Sequence, residues 1–204
     1  DLFGVVLLAV MAVAASANLI SNLSFELGTG QGGNLSGATI TDWNNYSGSG
    51  WWADDAGAVY DGTWAIKRWD DDTGIYADFS ATPGITYDFS LWCYDNSTEP
   101  LVNRHVELKA EWLDGSYGKL GETVIGQFGA GTVNTWTEIA GQSEASAGTV
   151  WGRLVITTGA DGAGSGGAVY YDLASVTAVP EPTALALLGL GIVTIGLVRH
   201  KLRK

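Results

Sequence analysis

Between Asn18 and Ala178 apolar and polar residues alternate in short runs broken by glycines and acids, the period-two signature of strands with one face on a core. The clearest run is 86–94, where Tyr87, Phe89, Leu91 and Cys93 share one face and Asp88, Ser90, Trp92 and Tyr94 the other. Residues 106–113 repeat the pattern, with Val106, Leu108, Ala110 and Trp112 opposed to Glu107, Lys109 and Glu111, and Asp114-Gly115 marks a turn. Further strands are predicted over 64–69, 75–79, 123–128, 136–140, 151–157 and 168–176. Leu19, Leu23 and Phe25 suggest a first strand over 18–28, and the glycine-rich stretches 30–41 and 159–167 read as loops. No internal stretch sustains a helical stripe, so the fold class is all-β, a sandwich.

The two ends break this pattern. Residues 3–14 are continuously apolar and run into Ala15-Ser16-Ala17, a small-residue cleavage site, which predicts a signal peptide over 1–17, truncated at its start. Residues 183–198 carry no charge and predict a transmembrane helix of about 24 Å, somewhat short of a ~30 Å hydrocarbon core. Arg199, Lys201, Arg203 and Lys204 follow it and are expected to stay cytoplasmic, with the domain 18–178 exported. Pro180 and Pro182 around Glu181 form a stiff spacer between the two.

Charge narrows the partners. Between Asn18 and Ala178 six basic residues stand against twenty acids, a net charge of −14, which repels phosphate backbones and makes nucleic acid a poor partner. Cys93 is the single cysteine, so the domain has no internal disulfide, and its strand position predicts a core residue.

Nine tryptophans exceed what one small core needs. Sugar rings present apolar C–H faces that flat indoles accept. Trp51 and Trp52, in a predicted loop, and Trp92 and Tyr94, on the non-core strand face, are the candidate ligand platform. Trp43, Trp64, Trp112 and Trp136 are assigned to the core, Trp69 and Trp151 to either group, and packing of all nine remains the competing reading. The acids Asp54, Asp55, Asp61 and Asp70 to Asp72 are a second cation candidate, but they fit no cation-loop spacing and read first as a solvated acidic loop. Catalysis has little support: His105 is the one histidine of the domain, and no serine or cysteine is marked as a nucleophile. Glu107 and Glu111 lie about 13 Å apart along a strand, beyond the roughly 5–9.5 Å of a glycosidase pair, which leaves only a pair formed between strands.

Two resemblances follow. Val179-Pro-Glu-Pro182, the short apolar span and the basic terminus resemble the PEP-CTERM sorting signal of Gram-negative bacteria. That resemblance implies recognition by exosortase near Pro180-Glu181-Pro182, transient residence in the inner membrane, and delivery to the cell surface or extracellular matrix. Asn18 to Gly28, Tyr87 to Trp92 and Tyr170 to Val176 resemble the β-jelly-roll of carbohydrate-binding modules and galactose-binding-like domains. This second resemblance implies a jelly-roll, polysaccharide as ligand, and a structural Ca²⁺ held by Glu26 and Asp172 in adjacent first and last strands; hydrogen bonding of both acids to backbone is the alternative. The expectation is an exported, non-enzymatic polysaccharide binder. A structural or adhesive matrix protein is the alternative, and a polysaccharide-active enzyme a weaker one.

Overall fold

The alternating runs form strands that pair into two facing antiparallel sheets. The computed structural model describes residues 17–29, 39–47, 51–53, 58–69 and 71–180. Its strands are β1 (Gly28–Thr29), β2 (Thr39–Ile40), β3 (Asn44–Ser47), β4 (Trp51–Ala53), β5 (Ala65–Arg68), β6 (Thr73–Ser80), β7 (Thr86–Asp95), β8 (Arg104–Leu113), β9 (Lys119–Gly129), β10 (Trp136–Glu144), β11 (Trp151–Ala160) and β12 (Val169–Ala178). The first sheet runs β10-β7-β12-β5-β4 and the second β3-β6-β11-β8-β9, with β1-β2 as a separate ribbon. From β6 to β12 each strand crosses to the other sheet except at the β8–β9 hairpin, and the architecture is the expected all-β jelly-roll sandwich. Asn18–Ala178 is one compact unit. The predicted signal peptide up to Ser16, Glu181, Pro182, the predicted helix over 183–198 and the basic end lie outside the described residues.

The core uses the inner faces that alternation identifies. Tyr87, Phe89, Leu91 and Cys93 of β7 and Val106, Leu108, Ala110 and Trp112 of β8 are all buried. Burial pushes the Cys93 thiol up, so it stays a neutral core side chain. Phe79 packs against Tyr87, Phe89 and Trp112 with ring centroids 5.5, 6.2 and 6.3 Å apart. It also lies over Gly152, its partner across β6 and β11, where a Cβ would come within 2.2 Å of the ring. Trp112 is 1% exposed and its indole N–H donates to Ser143 Oγ at 3.2 Å, satisfying its one polar atom.

Three expectations change. Residues 18–27 do not form a strand: they run beside β12 through isolated bonds, Leu19 N to Val176 O at 2.8 Å and Ala174 N to Leu23 O at 2.9 Å. Phe25 there is in the left-handed region at φ 57°, which breaks the period of two, so Ile20 and Phe25 enter the core while Leu19 stays exposed. Trp51 and Trp52 belong to an edge strand paired with β5 rather than to a loop, and their side chains lie outside the described part. Trp136, assigned to the core, sits half-buried beside Tyr94 and Tyr170 in a small second cluster.

Candidate functional site

Glu26 and Asp172 are brought to one loop, 60–64, and each serves it through backbone amides. Asp172 Oδ2 accepts from Tyr60 N at 3.0 Å and Asp61 N at 2.9 Å, and its Oδ1 from Leu173 N at 2.7 Å. Leu173 takes φ 46° and the β12–β7 register shifts between Asp172 and Ser175, a bulge beside the carboxylate. Glu26 Oε1 accepts from Thr63 N and Trp64 N, both at 2.8 Å. Asp172 is fully buried, and that burial pushes its carboxyl up to about 7 in spite of the amides. Ser24 Oγ donates to Asp61 Oδ2 at 2.5 Å and ties the same loop to the N-terminal segment. Hard carboxylate oxygens suit Ca²⁺. Here the oxygens face N–H donors, and among the described residues no three acids, histidines or cysteines converge on a metal position. The donor set therefore fits a calcium ion only where the loop exchanges its amide contacts. Within the acidic run Asp71 pairs with the buried Arg104: its Oδ1 accepts from Arg104 Nε at 2.8 Å and its Oδ2 from Ser165, which holds its carboxyl below the usual range. Asp54, Asp55 and Asp70 lie outside the described residues.

The outer face of the first sheet carries the predicted platform in altered form. Tyr94 is 8% exposed, with Trp136 tilted against it at 5.2 Å and Tyr170 edge-on at 6.1 Å, so its ring is packing and not a contact surface. Trp92 is half-buried because Tyr60 lies flat on it, centroids 4.2 Å apart and planes within 14°. Tyr60 is thus the ring offered to solvent. Sequence reasoning missed it because strand alternation says which side chains leave a sheet, not which loop returns over them.

On the outer face of the second sheet a polar and aromatic surface surrounds Tyr46. Its hydroxyl donates to Glu111 Oε1 at 3.0 Å, and its ring, 40% exposed, lies edge-on to Tyr76 at 6.2 Å. Burial and the Glu111 hydrogen bond push the Tyr46 phenol up. Arg153 stands over Tyr76 at 3.9 Å and makes a two-pronged pair with Asp78, 2.7 and 3.2 Å. Burial alone would lower the Arg153 guanidinium, but Asp78 holds it above its ordinary value. Glu111 faces Glu122 across β8 and β9, and Lys119 bridges the two. This is the cross-strand carboxylate pair that strand spacing left open. Lys119 draws Glu122 below the usual carboxylate range, a setting for an ion bridge and not for a proton donor.

Beside Tyr46 a depression of about 360 Å³ is lined by Asp72, His105, Glu107, Lys109 and Thr157. Glu107 accepts from Gln127 Nε2 at 2.9 Å and pairs with Lys109 at 3.1 Å, and these contacts outweigh burial to hold its carboxyl low. His105 Nδ1 meets Asp161 Oδ1 at 2.6 Å. The lysine and the glutamate that line it are thus paired with each other, and the rim offers fixed hydrogen-bonding groups beside an open aromatic ring. The residue types were visible in sequence, since Glu107 and Lys109 share the outer face of their strand. Tyr46 was not singled out, because its strand is four residues long.

No curated protein sequence matches the chain. Among solved structures it is similar to the CBM22-1 xylan-binding domain of Paenibacillus barcinonensis Xyn10C, with TM-score 0.54 and 16% identity over 82% of this chain and 99% of that one. It is similar also to TmCBM61, solved in complex with β-1,4-galactotriose, with TM-score 0.52 and 15% identity over 80% of this chain and 100% of that one. A third likeness is to the enzymatically active domain of bacteriophage CBA120 tailspike protein 4, TM-score 0.56 and 11% identity over 79% of this chain, which spans only 21% of the tailspike chain. These likenesses establish the jelly-roll fold shared with carbohydrate-binding modules. The family model of the PEP-CTERM protein-sorting motif matches residues 178–204, so the tail beginning at Ala178 is that sorting motif.

Proposed function

We propose that this protein is an exported cell-surface or matrix protein that binds a neutral polysaccharide on the outer face of its second sheet. The observation that carries the reading is Tyr46, an exposed ring fixed at its hydroxyl by Glu111 and set beside a depression of about 360 Å³ whose polar rim is already held by its own partners. Such a surface gives a pyranose an apolar face to stack on and fixed groups for its hydroxyls. A net charge of −14 over Asn18–Ala178 disfavours polyanionic chains. The likeness to modules that bind xylan and β-1,4-galactotriose supports the ligand class. In this reading residues 1–17 are removed as a signal peptide, 18–178 are the binding domain, and exosortase acts on the tail around Pro180, Glu181 and Pro182 while it is held in the inner membrane. The protein is a binder and not an enzyme. Calcium is its structural support at Glu26 and Asp172, detectable as a metal-dependent rise in melting temperature that Glu26→Gln abolishes.

The test is a binding screen of the full-length protein against soluble neutral and acidic polysaccharides, read by tryptophan fluorescence and calorimetry. Saturable binding to a neutral chain, weakened at least tenfold by Tyr46→Ala with an unchanged circular dichroism spectrum, is expected. Absence of binding across the whole panel would replace this reading with a structural matrix protein, and release of reducing sugar would replace it with an enzyme.

A further inference from the structure

The outer face of the first sheet is not what a merely solvated face requires. Alternation puts Trp92, Tyr94, Tyr170, Lys67 and Trp136 on the side away from the sandwich core, and register sets Trp136, Tyr94, Tyr170 and Lys67 in one row across β10, β7, β12 and β5. A solvent-facing side of an antiparallel sheet is ordinarily polar. Here Tyr60, 41% exposed, closes the row from above by stacking on Trp92, with Trp136 edge-on to it at 5.5 Å. Its position is fixed at the backbone, because the Tyr60 amide and the next one donate to the buried Asp172. A loop held this firmly presents its ring in one orientation, the arrangement that lowers the entropic cost of binding.

A groove of about 300 Å³ runs along β7, starting at Glu138, the register partner of Trp92 on β10. Ala140 keeps its floor low, while Ser90, Glu138, Ser175 and Asp88 supply hydrogen-bonding groups. At the far end Gln142 Nε2 donates to Asp88 Oδ1 at 2.8 Å and orients that carboxylate. Trp92 and Asp88 are four strand residues apart, about 13 Å, so an aromatic plate and a polar strip share one linear path. Carboxylates along the path accept hydroxyl hydrogen bonds and repel carboxylated or sulfated chains.

We propose that this face is a second binding surface for a neutral polysaccharide, and that one molecule therefore bridges two glycan chains. The bridging rests on the reading that the second sheet binds sugar. The two surfaces lie on opposite outer faces of a sandwich whose sheets stand about 10 Å apart, and a single extended chain cannot lie on both. Two sites turned away from each other make the protein a cross-link, with avidity wherever chains are dense.

The experiment uses full-length protein and the neutral polysaccharide that binds best, together with a short oligosaccharide of the same sugar. Calorimetry with the oligosaccharide is expected to give two sites per chain, and Tyr60→Ala and Tyr46→Ala are each expected to leave one. Mixing wild type with the polysaccharide gives turbidity that peaks at equivalence and clears with excess oligosaccharide, whereas either variant binds without turbidity. Tyr60→Phe keeps the stack and restores two sites, which separates loss of the ring from loss of the loop. One site in wild type that Tyr46→Ala removes, or two in Tyr60→Ala, overturns the second surface and leaves the Tyr46 reading standing. One site in wild type that Tyr60→Ala removes and Tyr46→Ala spares overturns both the bridging and the Tyr46 reading. Turbidity without polysaccharide, with sedimentation as a dimer, assigns the aromatic row to self-association and overturns the proposal.

Discussion

Replacing Asp172 by asparagine removes a fully buried carboxylate while keeping a carbonyl oxygen that can accept from Tyr60 and Asp61. In the folded protein burial lifts this carboxyl from 3.8 to about 7. The folded state therefore holds a proton that the unfolded chain gives up near pH 4, and between those values folding becomes harder as pH rises. A displacement of about three pKa units corresponds to about 4 kcal/mol at full effect, and relaxation of loop 60–64 brings the expected figure to about 2–4 kcal/mol. The assay is urea unfolding of wild type and Asp172→Asn in EDTA from pH 4.5 to 7.5, read by tryptophan fluorescence. Wild type should lose about 2–4 kcal/mol relative to the variant across that range. The depressed carboxyls of Asp71, Glu107, Asp114 and Glu122 act with opposite sign, losing their stabilisation at acid pH, and cancel in the difference. A pH-independent difference would refute the buried, proton-holding carboxylate. Repeating the titration with calcium is also decisive for the metal proposal, because a bound cation favours the ionised form and turns the wild-type slope upward with pH.

Gly152→Ala drives a Cβ to within 2.2 Å of the Phe79 ring and is expected to destabilise by about 3 kcal/mol in urea unfolding. Trp112→Ala empties a position walled by Phe79, Tyr87 and Phe89 and should cost about 3–5 kcal/mol by the same assay. Glu26→Ala leaves the amides of Thr63 and Trp64 without their carboxylate, an expected loss of about 1–3 kcal/mol accompanied by faster amide exchange at residues 60–64.

How much of this was legible in the sequence depended on strand length. In β7 and β8, ten residues each, alternation placed every core side chain correctly and put Trp92, Glu107, Lys109 and Glu111 on outer faces. In β3 and β4, four and three residues, there is too little chain for a period of two to show, so Tyr46 passed unnoticed and Trp51 and Trp52 read as loop. The pairing of Glu111 with Glu122 is a property of register between β8 and β9, which shifts twice along that pair and which no single strand encodes. Tyr60 over Trp92 depends on Asp172, 112 residues away in sequence, holding the Tyr60 amide. Glu26 and Asp172 both reach loop 60–64, yet the Glu26 segment is not a strand, because the left-handed Phe25 turns the chain just before it.

The position of β12 decides how the sandwich bears a load. It is an inner strand, between β7 and β5, and the sorting motif begins at its last residue, Ala178. Tension arriving from the tail therefore runs along the axis of β12. Its eight register pairs with β7, spread from Val169 to Ala178, resist sliding together instead of opening one after another. Leu19 and Asn18, bonded to Val176 at the same end, add to the grip. A ligand held in the groove beside β7, as proposed above, would load the neighbouring strand in the same sheet, so the mechanical path from that groove to Ala178 crosses a single ladder of hydrogen bonds in shear.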